Sequence, residues 1–437
     1  MKFVIIGTGV AGVAAMEAIR SVDHAGEIVW IGDDPHGFYS RPGLAYYLTG
    51  ELHDKALYPG TIDEFHTMKI KTVDGHVTKI MRENKTLEIE GKTFQTYDRL
   101  LIAVGAHAMR LTVPGAELEA VLKLDNMDDA KRILKYARRG KTAIVIGGGI
   151  TALELVEGLV SRGMKVHYLL RGDRYWSNVL DEQESQIVQH RLQEERVKLH
   201  YHCEVAEVTG KNNRITGIRL SSGEMLRCDL LAYAIGVVPR LDLAKQAQLA
   251  VERGILVNEY LQTSDPDIYA AGDVAQVYDP ATGRSVLDSL WAPARQQGYV
   301  AGLNMAGKRT AYVKSMPFNV TRLAGLTTTI IGTVGRGKDE DLIGIARGDS
   351  ETWRQLPDAM VAQTGFEVNR LRLLVGEKTL LGAIVMGDQK LSFPLEKIIS
   401  RKVDISPIRE KLLMPNAKIG DIVADFWTKK QTNAVSN

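Results

Sequence analysis

Cysteine is almost absent from this chain: Cys203 and Cys228 are the only two in 437 residues. Their separation matches neither a C-x-x-C pair nor any zinc or iron–sulfur framework, which argues against a disulfide-stapled fold and a cysteine-held cluster. Long apolar runs are missing too. The longest, at 100–106 and 230–238, fall far short of the ~20 residues that span a bilayer. Neither sign of charge is in excess, with 55 Lys and Arg against 53 Asp and Glu, so no net field recruits nucleic acid or an anionic membrane. What remains is an ordinary globular composition, 45% hydrophobic and 25% charged, in a chain long enough for two or three domains. Lys2 and the apolar residues up to Ala14-Ala15 superficially imitate a secretion signal, but the same residues read better as a strand, a turn and a helix. A soluble, cytoplasmic protein without a nucleic-acid or membrane partner is the expectation.

The informative residues come first in the chain. Phe3-Val4-Ile5-Ile6 runs into Gly7-Thr8-Gly9-Val10-Ala11-Gly12, a buried strand ending at G-x-G-x-x-G. One glycine permits the turn, the second lets backbone N–H groups approach a pyrophosphate, and the third lets helix and strand pack closely. A lone motif of this kind is weak evidence. Here Ile144-Val145-Ile146-Gly147-Gly148-Gly149-Ile150-Thr151-Ala152 repeats it, with alanine as the third small residue, so two dinucleotides are implied.

Each motif also has its own closing strand. Residues 97–105 and 228–236 both place Asp second and both end Ala-x-Gly, at Ala103-Val104-Gly105 and Ala234-Ile235-Gly236. A duplication of motif and strand together is far harder to reach by chance than either motif alone. Between them, a second strand at 27–31 ends at Gly32-Asp33-Asp34, where an acid about 20 residues past the glycines can accept hydrogen bonds from a ribose. Either Asp33 or Asp34 fits, and so does a plain acidic turn before Pro35. Ile268-Tyr269-Ala270-Ala271-Gly272-Asp273 is again a strand leading into a glycine. From about 311 the pattern changes to alternating strands without glycine motifs, including a hairpin signal across 369–386. Ile419, Ile422, Val423, Phe426 and Trp427 then share one helical face. His200, His202 and Cys203 are not a metal set, since alternation on a strand sends Cys203 to the other face and no further ligand is near.

Taken in order, these motifs resemble the FAD-dependent NAD(P)H reductases of rubredoxin and ferredoxin, in the pyridine nucleotide-disulfide oxidoreductase superfamily, and the flavin part of the nitrite reductase large subunit. The first 310 residues or so carry the resemblance. The rest is similar more loosely, through Arg370-Leu371-Arg372-Leu373-Leu374-Val375 and Leu381-Gly382-Ala383-Ile384-Val385-Met386-Gly387-Asp388. It implies an α/β fold of two Rossmann-like domains. FAD would be held by 1–115 and 241–310 and NAD(P) by 116–240, followed by an α+β interface domain at 311–430 and a disordered tail at 431–437. It assigns Gly7, Gly9, Val10, Ala11 and Gly12 to FAD, with Ala103, Gly105, Gly236 and Gly272 at the ends of the flanking strands. It puts Asp273 against the flavin ribitol and Arg41 and Pro42 beside the isoalloxazine. Gly147, Gly149, Ile150 and Ala152 fall to the nicotinamide cofactor, and Glu154 becomes the catalytic candidate near both rings.

The departures from the family sharpen the reading. Disulfide-reducing relatives carry C-x-x-x-x-C near position 41, and oxidase and peroxidase relatives carry one cysteine. Here the residues are Ser40, Arg41 and Pro42, so the flavin must pass its electrons on without a thiol relay. Ferredoxin reductases usually place a lysine where this chain has Tyr46, which leaves Glu154 in need of another partner. After the strand 166–170 the chain offers Arg171 and Arg174 where an acid would bind the ribose of NADH, and arginine can hold the 2′-phosphate of NADPH. The expected reaction is transfer from NADPH or NADH through FAD to a small redox protein or a larger redox complex. The rivals are an NAD(P)H oxidase using oxygen and a flavin-bound regulatory subunit. Relatives also imply a homodimer contact through the last domain.

Overall fold

The computed structural model describes residues 1–58, 65, 67–91, 93–280, 283–334, 360–365 and 370–435. Its first sheet is parallel, with Lys2–Ile6 in the middle. Glu27–Gly32 and then Ile70–Asp74 lie on one side of it, and Arg99–Ile102 and then Ile268–Ala270 on the other. Phe3, Val4, Ile5 and Ile6 are all buried, because a central parallel strand is covered on both faces and needs no polar alternation. Burying each such side chain contributes about 1.5–3 kcal/mol.

The second sheet repeats the plan. Thr142–Ile146 is central, flanked by Lys165–Leu169 and Lys198–His200 on one side and by Leu230–Tyr233 and Val121–Lys123 on the other, all parallel. The duplicated closing strands therefore sit beside their own glycine strands. Cys228 is buried at the start of its copy, consistent with a packing role. Strand Ile268–Ala270 returns the chain to the first sheet after the strands of the second, so the first sheet draws on two separate stretches of the chain.

Helices Val10–Val22 and Trp291–Met305 cover the first sheet side by side. Gly298 and Gly302 allow this: a Cβ added there would come within 2.0 Å of Ala11 O and 2.4 Å of Ala15 O. The C-terminal sheet is antiparallel, in the order Phe318–Leu323, Leu326–Gly332, Leu380–Met386, Arg370–Val375, Met360–Gly365. Helices Ser392–Ser400, Ser406–Leu413 and Ile419–Val435 follow, and buried Val423 and Phe426 from the last of these join the core of this unit.

One expectation shifts. The last helix continues through Val435, whereas the tail was expected to be disordered from 431; Ser436 and Asn437 lie outside the described residues, as does Asn369 of the hairpin signal. No helix among the described residues is long and apolar enough to cross a membrane.

Candidate dinucleotide sites

The three glycines of the first motif do three different physical jobs. Gly7 has φ +112°, and a Cβ there would lie 2.3 Å from Ala103 O, so only glycine fits the turn against the closing strand. A Cβ on Gly12 would lie 2.6 Å from Gly7 O, so the helix can approach its own strand only without a side chain. At Gly9 an added Cβ would meet nothing within 4 Å. The protein leaves that space open at the N-terminus of helix Val10–Val22, where unpaired N–H groups and the helix dipole attract an anion. Trp30 fastens the turn by donating its Nε1–H to Gly7 O at 2.9 Å.

Around this opening the fold gathers Thr8, Gly9, Val10, Asp34, Tyr39 and Arg41 into one pocket, closed at its edge by Trp291. Asp33 points elsewhere, toward His76 Nδ1 at 2.7 Å, with both side chains exposed. Of the two adjacent acids, Asp34 is the one that lines the pocket. Thr8, Tyr39 and Trp291 were missed by sequence reading. Trp291 belongs to no motif, and only the packing of its helix against Val10–Val22 brings it to the pocket.

Arg41 is half-exposed, 3.9 Å from Asp125, which Lys123 and Arg240 also approach. Pro42 precedes the short helix Gly43–Thr49. Buried Tyr39 accepts the N–H of Met127 at 3.0 Å, and burial pushes its phenol up to about 12. Gly272, at φ +80°, lies close to Ala11, and its N–H donates to the buried Gln297 Oε1 at 2.8 Å, which fixes the turn leading into Asp273. Ala11 and Ala103 pack in the core behind the pocket.

The second motif has the same construction. Gly147, at φ +143°, would place a Cβ 2.3 Å from Ala234 O, while Gly148 opens on space and Gly149 caps helix Ile150–Ser161. Ala152 is fully buried and Ile150 nearly so. Glu154 is half-buried on this helix. Past strand Lys165–Leu169, Arg171 is exposed, whereas Arg174 folds back on Asp173 at 3.1 Å and on Ser177 O at 3.4 Å. The two arginines that looked equivalent in sequence are thus in different situations.

The two units meet where both closing strands end. Ala106–Ala108, just after Gly105, pairs antiparallel with Val237–Pro239, just after Gly236. Backbone bonds from Arg240 N to Gly105 O and from Met109 N to Gly236 O, both 3.0 Å, lock the crossing.

Tyr46 has an unforeseen neighbour: the Arg322 guanidinium lies 5.1 Å over its ring. Arg322 also reaches Glu51 at 2.8 Å and Glu157 at 4.0 Å, and Glu157 accepts the Gly325 N–H at 3.0 Å. Burial raises the Glu157 carboxyl above its ordinary range, opposed by that N–H and by Arg322. Burial pushes the Cys228 thiol up to about 12 and raises that of Cys203, which disfavours the reactive thiolate at both. His200 stacks on His167 with their ring nitrogens 3.0 Å apart. Among the described residues no group of three or more His, Cys, Asp or Glu is arranged to hold a metal.

A family model described as pyridine nucleotide-disulphide oxidoreductase matches residues 1–298. The chain belongs to this family. Among curated relatives of this oxidoreductase, the nitrite reductase [NAD(P)H] of Bacillus subtilis is 28% identical over 93% of the chain, although the chain spans only 48% of that protein's length. The rubredoxin-NAD(+) reductase of Pseudomonas putida is 29% identical over 79% of the chain and 89% of its own length. The fold is shared with the ferredoxin reductase of Rhodopseudomonas palustris, at a TM-score of 0.84 and 24% identity over 97% and 99% of the two chains.

The cofactors of the family, FAD and a nicotinamide dinucleotide, fit the residues present. Two anion-attracting cradles exist, each kept open where a Cβ would intrude, and the first continues into a pocket lined by an acid and an arginine.

Proposed function

We propose that this oxidoreductase takes electrons from NADPH or NADH and delivers them, through FAD, to a small redox protein of the rubredoxin or ferredoxin type or to a larger redox complex. The observation that carries the proposal is the joining of the two dinucleotide units at the crossing of Ala106–Ala108 and Val237–Pro239, with no cysteine at 40–42. Bound FAD supplies the exchange between a two-electron donor and one-electron acceptors.

The chain's part is to bind and orient. The N–H groups at Gly9, Val10 and Ala11 hold the flavin pyrophosphate and Asp34 accepts from the adenosine ribose, while Asp273 accepts from the ribitol hydroxyls. Arg41 and Pro42 border the ring, and Ala103, Gly105, Gly236 and Gly272 give the backbone room around it. Gly147, Gly149, Ile150 and Ala152 hold the nicotinamide dinucleotide. Exposed Arg171 pairs with a 2′-phosphate, which favours NADPH, and Arg174 assists by shaping the same loop. Glu154 would be the catalytic residue of this scheme, orienting the nicotinamide for transfer to the flavin. Phe393, exposed and set edge-on to Trp427 in the C-terminal helices, supports a homodimer contact on that unit.

Anaerobic stopped-flow mixing of the FAD-loaded protein with NADPH or NADH, followed by rubredoxin, ferredoxin or oxygen, tests the scheme. Fast bleaching and reoxidation by a carrier protein support it. Reoxidation by oxygen alone at catalytic speed makes it an oxidase, and a flavin that neither nucleotide bleaches leaves a regulatory subunit.

A further inference from the structure

The loop that carries Arg171 is held at its far end by the C-terminal sheet. Arg370 and Arg372 alternate with Leu371 and Leu373 on strand Arg370–Val375, so the leucines enter the core of their own unit while both guanidiniums face the nicotinamide unit. All three nitrogens of the Arg372 fork are engaged, two of them across this boundary. Its Nε donates to Glu184 at 2.8 Å, one Nη to Val179 O at 2.8 Å and the other to Val334 O at 2.9 Å. Arg370 donates to Asp181 at 2.7 Å and to Gln183. Both arginines are about 5% exposed, and Glu184 is fully buried.

Apart from Val334 O, which belongs to the C-terminal unit itself, these acceptors are the last residues of the loop and the first turn of helix Glu182–Glu194. Asp181 caps that helix and Glu184 reaches back to the Asp181 N–H, a reciprocal capping box. From the same turn, buried Ser185 donates its hydroxyl to Tyr175 O at 2.7 Å. Tyr175 adjoins Arg174, whose own guanidinium reaches Ser177 O. A continuous set of directional contacts therefore runs from the C-terminal strand, through the helix cap, into the segment 171–181 from its far end.

We propose that Arg372, with Arg370, is a positioning residue for choice of nicotinamide cofactor. From outside the dinucleotide site it sets the loop so that Arg171 meets the 2′-phosphate. This rests on the reading of Arg171 as the 2′-phosphate partner. An apolar pair could bury the same surface, but only a guanidinium fork fixes three acceptors on three segments in one plane. The effect belongs in the discrimination between NADPH and NADH, because a displaced Arg171 loses the phosphate while the part common to both cofactors stays in the Gly147 cradle.

The test uses the full-length FAD-loaded protein and compares kcat/KM for NADPH and NADH with an artificial electron acceptor. R171A sets the scale by lowering the NADPH:NADH ratio. R372Q is expected to lower the same ratio about tenfold, through KM for NADPH and with kcat nearly unchanged, which is less than the ~100-fold that a 1 Å misplacement can cost. R372K is expected to restore part of it. R171A combined with R372Q should fall no further than R171A alone, since Arg372 acts through Arg171. If R171A lowers the ratio and R372Q slows both cofactors equally or neither, the proposal is overturned and the cofactor assignment stands. If R171A leaves the ratio unchanged, the cofactor assignment falls and this proposal with it. Should R372Q fail to fold or to retain FAD, S185A decides the matter: a lowered ratio supports the proposal and an unchanged one overturns it.

Discussion

Gly9 and Gly12 offer a sharp test of the first cradle, because an added methyl group meets different things at the two positions. At Gly12 the new Cβ lies 2.6 Å from Gly7 O and 3.3 Å from Ile5. Strand and helix must separate, and overpacking of this kind costs about 1–3 kcal/mol of folding stability. At Gly9 the Cβ meets no protein atom within 4 Å. The folding cost of Gly9→Ala is then the smaller one of replacing glycine by alanine at an N-cap, about 0.5–1 kcal/mol. What the methyl occupies instead is the approach to the helix N-terminus, so FAD affinity should fall by about 100-fold, or about 2.7 kcal/mol. Urea unfolding of the apoproteins measures the first quantity, and titration of flavin fluorescence measures the second. Gly12→Ala should be the less stable apoprotein and Gly9→Ala the one with the greater loss of FAD affinity for its stability. A Gly9→Ala protein that binds FAD as tightly as the parent would refute the placement of the pyrophosphate over Gly9.

Asp34→Asn should weaken FAD binding about tenfold, the scale of one charge-assisted hydrogen bond, while Asp33→Asn should leave it unchanged; equal effects in the fluorescence titration would contradict the observed directions of the two acids. Arg174→Ala should raise KM for NADPH less than Arg171→Ala does, because Arg174 is already engaged by Asp173 and Ser177; steady-state kinetics with both nucleotides decides it. Glu157 keeps its proton longer in the folded than in the unfolded chain, since burial raises it from the ordinary 4.5. The folded state therefore binds more protons between 4.5 and the raised value, and its stability falls as pH rises through that window. Relative to Glu157→Gln, the parent should lose stability in urea unfolding as pH rises above 4.5; a parallel pair of pH profiles would show that Glu157 is not shifted.

Local steric rules made much of this protein legible in one dimension. Gly7, Gly9 and Gly12, and their counterparts from Gly147, announce themselves because turn, approach and close packing each act on residues a few positions apart. The doubled motif with its doubled closing strand likewise needed no partner from elsewhere to be recognised. The alternatives left at Asp33 and Asp34 were of another kind. Both acids sit in one turn, and which of them enters the pocket depends on His76 and on the loop bearing Tyr39 and Arg41.

The sequence by itself determined two dinucleotide units, their order, the lack of a redox thiol and the arginines past the second recognition strand, because each is written in residues adjacent along the chain. Only the tertiary structure decided that Trp291 lines the first pocket, that Tyr46 meets Arg322, that Arg171 is exposed while Arg174 is engaged, and that Arg370 and Arg372 bind the helix cap at Asp181 and Glu184. Apart from the local contacts of Arg174, these pairings join segments distant in sequence, and their directions follow from how packed helices and sheets bring buried charges and open faces together. No periodicity or spacing along a single chain records that information.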